Sequence, residues 1–121
     1  MNTTLQDYLA ELSRVALLGK ARAKAEAEWG SDIPTTVLFS ALGRAIVDAF
    51  ASLSPNEQSA VFCLIESGVT SSDIPLRTYV ASGLLEALYS RGSRNRELWP
   101  KIEQCLLPAS RAYLAAWCAV G

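Results

Sequence analysis

Apolar residues recur at intervals of three and four along most of the chain, and this spacing constrains the fold more than any other feature. The first such stripe consists of Leu5, Tyr8, Leu9, Leu12, Val15, Ala16 and Leu18. This spacing places side chains on one face of an α-helix, whereas a half-buried strand needs alternation at every second residue. No segment alternates for long enough to make a strand. The pattern therefore predicts an all-α fold.

Capping and turn signals divide the chain into about six predicted helices. The first has Thr3 and Gln6 spaced as a capping box and continues through the alanine-rich, charged residues 20–29 to Gly30. The second carries its apolar stripe over residues 38–53. These two helices are predicted to be joined by a connector over residues 30–34.

The third and fourth helices have the clearest boundaries. Ser54, Pro55 and Glu57 form a helix start, with a capping serine, a proline at the first helical position and a glutamate three residues after the cap. This helix is predicted to carry four apolar residues inward and to end at the left-handed stop Gly68. The inward residues are Ala60, Val61, Leu64 and Ile65.

Asp73 or Ser72 is predicted to cap the fourth helix, which closes at residues 90–92. Gly83 in its middle is unfavourable for a helix by about 1 kcal/mol relative to alanine, which indicates close approach of another helix. Residues 94–106 predict a fifth helix whose regular part starts near Pro100, and Pro108 starts a sixth.

Short connectors favour antiparallel neighbours in a single helical domain over residues 1–121. The hairpin of the third and fourth helices resembles one of a HEAT-type α-solenoid. The predicted architecture is therefore a HEAT-like layer of helical hairpins or a compact bundle.

The chain contains no histidine, which removes Ser-His-Asp and Cys-His catalysis and every metal site that needs a histidine ligand. Cys63, Cys105 and Cys118 lack the paired close spacing of zinc or redox motifs, and their apolar sequence neighbours predict buried thiols in a reducing compartment. Phosphate-binding glycine loops and paired catalytic carboxylates are absent as well. We therefore expect no enzyme activity, no metal and no cofactor.

Residues 53–74 resemble the opening of a helix-turn-helix module of the response-regulator type. The helix that follows is long, apolar and nearly uncharged, so it offers only Arg77 and Glu86 to a DNA groove. The net charge of −1 also differs from the excess of positive charge that is typical of nucleic-acid-binding proteins. We expect no nucleic-acid partner.

The amino terminus lacks the basic stretch and apolar run of an export signal, and the uncharged runs are shorter than the roughly 18 residues that span a bilayer. A cytoplasmic protein without a membrane partner is expected.

Most aromatic residues lie on or beside the inward stripes and are predicted to belong to the core; they are Tyr8, Phe50, Tyr79, Tyr113 and Trp117. Trp29 differs, because it ends a charged, alanine-rich segment. It is either an exposed anchor for a partner or a cover for the helix end.

Charge is unevenly distributed. Residues 1–75 carry five Lys/Arg against nine Asp/Glu, whereas residues 76–121 carry six against three. Such polarity can steer a partner of complementary charge.

The carboxy-terminal pattern of Tyr79, Val80, Gly83, Leu84, Leu85, Glu86 and Leu88, followed by Leu106, Leu107, Pro108, Ser110, Arg111, Tyr113, Leu114 and Trp117, resembles one found in small helical bacterial proteins. Several kinds of these act as immunity proteins in contact-dependent growth inhibition and other polymorphic toxin systems. The resemblance covers about 40 residues, and Leu107 replaces the glycine usual before the proline.

The resemblance implies a non-catalytic protein that blocks the active or substrate-binding site of a cognate toxin, a nuclease with a basic cleft being common in such systems. The expected contact surface is acidic and consists of Glu26, Glu28, Trp29, Asp32, Glu66 and Asp73. The second choice, suited to an acidic patch on the partner, is the cluster of Arg91, Arg94 and Arg96. The alternative function is a helical scaffold or adaptor that binds a peptide or self-associates.

Overall fold

The computed structural model describes residues 4–30 and 32–120. Within them the chain forms seven helices and no strand, which confirms the all-α prediction. The helices are α1 (Leu5–Ser13), α2 (Ala16–Trp29), α3 (Thr35–Ala49), α4 (Pro55–Val69), α5 (residues 74–92), α6 (Trp99–Cys105) and α7 (Pro108–Val120). A short 3₁₀ turn, Phe50–Ser52, follows α3.

Helices α1 to α5 close into a ring. Helix α3 packs against α2 and α5, α5 packs against α4, α4 against α1, and α1 against α2. Helices α6 and α7 pack on α4 and α5. Of the two predicted architectures the structure is therefore the compact bundle, with one continuous cluster of buried apolar side chains.

The predicted helix starts in the second half of the ring are confirmed. The Oγ of Ser54 accepts a hydrogen bond from the Glu57 N–H at 3.1 Å, and the Glu57 carboxylate accepts one from the Ser54 N–H at 2.9 Å. Of the two candidate caps for α5, Asp73 accepts a hydrogen bond from the Leu76 N–H at 3.3 Å. Local sequence alone sets these boundaries.

The continuous first helix predicted over residues 5–29 is wrong, because the chain breaks between α1 and α2. Val15 is extended, with φ −77° and ψ 119°. The Ser13 hydroxyl donates to the Leu9 carbonyl at 2.7 Å, a local bond that competes with helical hydrogen bonding. Gly19 lets the backbone fold back, because a Cβ there would lie 2.7 Å from the Ser13 carbonyl oxygen. The break buries Leu18 completely.

The predicted capping box at Thr3 and Gln6 involves Thr3, which lies outside the described residues. The observed cap of α1 is Thr4, whose Oγ1 accepts a hydrogen bond from the Asp7 N–H at 3.1 Å. The start of α1 is therefore capped by the neighbouring threonine.

The prediction that Gly68 stops α4 is also wrong. Gly68 lies inside the helix, and Gly30 is the one glycine with a positive φ among the described residues. A Cβ at Gly68 would lie 2.6 Å from the Tyr8 hydroxyl oxygen. That hydroxyl donates to the Leu64 carbonyl at 2.6 Å, and burial, with a smaller contribution from Glu11, raises the pKa of Tyr8. The glycine is needed for packing between α1 and α4.

Helix α5 changes its winding along its length. It starts as an α-helix (Ile74–Thr78), widens into a π-helical segment (Tyr79–Leu85) and returns to an α-helix (Glu86–Gly92). The consecutive residues Leu84 and Leu85 are both fully buried in the widened segment.

The close approach predicted at Gly83 is confirmed. A Cβ at Gly83 would lie 2.8 Å from the Cβ of Phe39 on α3. On the other side of the same crossing, a Cβ at Gly43 would collide with the Leu84 carbonyl oxygen. The ring of Phe39 stacks between Tyr8 and Tyr79, with centroid distances of 6.2 and 6.0 Å. This crossing therefore joins α1, α3 and α5.

Helix α7 is held at its start and middle by carboxylates of other helices. Glu66 on α4 accepts hydrogen bonds from the Ala109 N–H at 2.8 Å and from the Ser110 N–H at 2.9 Å. The Tyr113 hydroxyl donates to the Glu86 carboxylate at 2.5 Å. Nearby, the Tyr89 ring makes edge contacts with Trp99 and Trp117, so α5, α6 and α7 share one aromatic cluster.

Residues Thr35–Ser52 are long and apolar enough to cross a membrane by length and composition, in contrast to the prediction from uncharged runs. In the structure this stretch includes α3, which packs against α2 and α5 and buries Leu38, Phe39 and Ile46. A core helix of a soluble protein passes the same test. The length and composition of this stretch do not distinguish a core helix from a membrane span, so the cytoplasmic localisation stays a prediction.

We expect Gly83→Ala to destabilise the protein by about 1–3 kcal/mol, because the new methyl group must displace Phe39 or separate α3 from α5. Intrinsic helix propensity alone would give a gain of about 1 kcal/mol, so the sign distinguishes packing from propensity. Urea denaturation measures the difference. Ser90→Ala, at an exposed position of the same helix, is the control, and equal stability of the two variants would contradict the close approach.

Candidate functional site

The last turn of α2 is exposed around its whole circumference. Ala25 is buried, but every residue over 26–30 is exposed, and so is Asp32. Gly30 ends the helix with φ 80°, and its N–H donates to the Glu26 carbonyl at 2.8 Å. The last turn of α2 therefore projects beyond the core into solvent before the helix ends at Gly30.

Trp29 lies at this exposed end and is 54% exposed. Its side chain is therefore exposed, whereas its role as an anchor for a partner stays a prediction. Ile74, at 62%, is the other exposed large apolar residue among the described positions. Sequence reasoning did not single out Ile74, which directly follows the capping Asp73.

The carboxylates next to Trp29 are mostly unused by the fold. Glu26 forms one helical ion pair with Arg22 at 3.6 Å, and Glu28 and Asp32 form none within the described residues. We define the α2-end surface as Glu26, Glu28, Trp29 and Asp32. An exposed indole with two unpaired carboxylates close to it in the chain, Glu28 and Asp32, suits a partner with a basic, partly apolar surface.

The structure separates Glu66 and Asp73 from this surface and gives both of them structural roles. Besides the two backbone N–H groups of α7, Glu66 accepts a hydrogen bond from the Ser110 hydroxyl at 2.8 Å. Partial burial raises the pKa of Glu66, but these hydrogen bonds outweigh it and hold the pKa below its ordinary value. Asp73 is half-buried and caps α5. Neither carboxylate is available in the way the sequence analysis predicted.

The second predicted cluster is also divided. Arg91 forms an ion pair with Asp48 on α3, at 2.6 Å between Nε and Oδ1. Arg94 and Arg96 are exposed in the turn between α5 and α6, without an ion pair in the described part of the chain. Asn95 between them orders this turn, because its Oδ1 accepts hydrogen bonds from the N–H groups of Glu97 and Leu98. Two of the three arginines therefore remain free to bind a partner.

The structure has several concave surfaces that were not predicted from the sequence. A polar cleft of about 270 Å³ lies between α2 and α3, beside Glu28. A larger groove of about 770 Å³ runs between the α1–α2 break and the start of α4. Its floor is mostly apolar, and its lining includes Val15, Ala16, Ala60, Cys63 and Leu64.

The prediction that all three cysteines are buried is wrong. Cys63 and Cys118 are exposed, and only Cys105 is half-buried. Partial burial raises the pKa of the Cys105 thiol, which lowers its thiolate fraction. The apolar neighbours that suggested burial lie beside the cysteines in sequence but project from other sides of the helices.

Among residues 4–30 and 32–120, no three Cys, Asp or Glu side chains come together as a metal site would require.

No family model matches the chain, and comparisons with curated proteins and with solved structures find no match either.

We expect Glu66→Gln to lower the free energy of unfolding by about 1 kcal/mol at neutral pH, since the amide cannot accept from both Ala109 and Ser110 and solvent screens the half-buried site. Because the folded protein holds the pKa of Glu66 low, this stabilisation is present above the unfolded pKa. It is lost as the pH falls through the folded pKa.

Denaturation by urea across the acidic range measures this difference between the wild type and the variant. Glu97→Gln, at an exposed carboxylate, should change stability little at any pH. A wild-type advantage over Glu66→Gln that persisted in strong acid would contradict the assignment.

Proposed function

We propose that this protein is a non-catalytic immunity protein that binds a cognate bacterial toxin through the α2-end surface and blocks its active or substrate-binding site. The observation that supports this most is the exposure of Trp29 at the end of a helix whose neighbouring carboxylates take little part in the fold. The class of partner rests on the resemblance of the carboxy-terminal pattern to small helical immunity proteins.

The composition of the α2-end surface suits an inhibitor of a nuclease. Tryptophan is enriched among the few interface residues that dominate binding energy. Carboxylates around it accelerate encounter with a basic substrate cleft and orient the two proteins. A toxin that binds nucleic acid has such a cleft, since neutralisation of phosphates dominates nucleic-acid affinity.

Within this proposal the contact surface is smaller than the sequence analysis predicted. Glu66 and Asp73 hold α7 and α5 and are left out, and Arg91 is held by Asp48. Arg94 and Arg96 stay as the second choice, for an acidic patch on the toxin. Inhibition by occupation requires no catalytic group, cofactor, nucleic acid or membrane, and it places the protein in the cytoplasm with the target of the toxin.

A second candidate function is that of a helical adaptor that binds a peptide or self-associates. The groove between the α1–α2 break and α4 favours it, because its volume of about 770 Å³ and apolar floor are typical of sites that bury a ligand or a peptide side chain. Ala60 lies in this groove and is exposed, so the prediction that it points into the core is wrong.

The test starts with co-purification from the native host and mass spectrometry, with the product of the adjacent toxin gene as the expected partner. Association and dissociation rates are then measured for variants. We expect Glu28→Lys with Asp32→Lys to slow association by about tenfold or more at low salt. Trp29→Ala should speed dissociation and weaken binding by about 2 kcal/mol or more.

The control is Glu97→Lys with Glu103→Lys, which makes the same change in net charge at exposed positions in the other half of the chain. Unchanged association and dissociation rates in the Glu28 and Asp32 double variant would exclude the α2-end surface as the toxin-binding site. If Ala60→Arg abolished binding while the α2-end variants bound normally, the adaptor function would be favoured.

A further inference from the structure

Two segments of the chain carry the same pattern of small and charged residues, and both line the polar cleft between α2 and α3. In each segment, alanine occupies positions i and i+4, a cation occupies position i+3, and an anion occupies position i+7. The segments are Ala21, Lys24, Ala25 and Glu28 on α2, and Ala41, Arg44, Ala45 and Asp48 on α3. Arg91 from α5 completes the lining.

The pattern explains why a cleft exists at this place. Spacings of three and four put each set on one helical face. The four alanines leave room between the helices, whereas larger side chains would fill it. The charged side chains on both helices are exposed and line this space, which has a volume of about 270 Å³.

The charges around the cleft are not balanced by one another. Asp48 is taken by Arg91, at 2.6 Å. Lys24, Arg44 and Glu28 have no ion pair within the described residues. The cleft therefore presents both unpaired cations, Lys24 and Arg44, and an unpaired anion, Glu28.

We propose that this cleft binds a small zwitterion that carries a carboxylate and an ammonium group, as a free α-amino acid does. The Arg44 guanidinium can donate two parallel hydrogen bonds to the ligand carboxylate, and Lys24 adds a second cation. The Glu28 carboxylate accepts hydrogen bonds from the ligand ammonium.

The size of the cleft sets the range of ligands. A volume of about 270 Å³ corresponds to roughly nine water molecules, so an amino acid with a small or medium side chain fits. The alanine methyl groups would contact its side chain. Because the charged residues are exposed, each ion pair contributes little, and the expected Kd is on the order of 1 mM.

The site needs no protein partner and does not rest on the proposed function, although Glu28 belongs to both surfaces. A binding experiment on the full chain alone therefore tests it without testing the toxin interaction.

The experiment is a titration of the isotope-labelled full chain with L-glutamine, followed by backbone amide chemical shifts. We expect saturable shifts concentrated in residues 21–28 and 41–48. Acetate and methylammonium, which each carry half of the zwitterion, should bind at least about fivefold more weakly.

Arg44→Gln and Glu28→Gln should each weaken L-glutamine binding by about fivefold, whereas Arg94→Gln, at an exposed arginine outside the cleft, should leave it unchanged. Because all three positions are exposed, the amide spectra should show that each variant folds. The proposal is overturned by an absence of saturable shifts, by acetate binding as tightly as L-glutamine, or by equal affinities of Arg44→Gln and Arg94→Gln.

Discussion

The close crossing of α3 and α5 is the constraint on which the rest of the structure depends. Gly43 and Gly83 allow the two backbones to approach to a distance that any side chain would prevent. At this crossing Phe39 stacks between rings of α1 and α5, which ties the two sides of the ring together. The same approach brings Arg91 to Asp48 and so determines which charges beside α2 remain without a partner.

Function is best sought among the polar groups that folding does not use. The sequence analysis places Glu26 and Glu66 in the same acidic contact surface. In the structure one forms a single long ion pair, whereas the other accepts three hydrogen bonds from α7. A substitution of Glu66 would disturb the fold and any binding surface together, so the exposed end of α2 is the more informative place to test binding.

The sequence predicted what local interactions determine. The all-α class, the capping box at Ser54 and Glu57, and the close approach at Gly83 follow from patterns within a few residues. The local sequence predicts a helix stop at Gly68, whereas the role of this glycine in packing depends on Tyr8, which is far away in the chain. The break at Val15 is accompanied by complete burial of Leu18, a tertiary contact that a local pattern does not show.

Among the features of the candidate sites, too, those set by local sequence could be predicted and those set by contacts between distant helices could not. Exposure of Trp29 was one of two local alternatives, whereas the use of Glu66 and the formation of both concave surfaces depend on helices that meet only in the folded chain. The sequence around the cysteines could not show which side of a helix faces solvent.

The two-point attachment of α7 has a consequence for the order of assembly during synthesis. Outside the carboxy-terminal segment, the groups that hold α7 belong to α4 or α5 and include Glu66, Glu86 and Tyr89. Within the segment, Arg111 of α7 donates to the Glu103 carbonyl of α6. The five-helix ring can therefore close before the carboxy-terminal segment emerges, and that segment then docks on a surface that already exists. Until that segment docks, the Tyr89 ring lacks the contacts with Trp99 and Trp117 that complete the aromatic cluster.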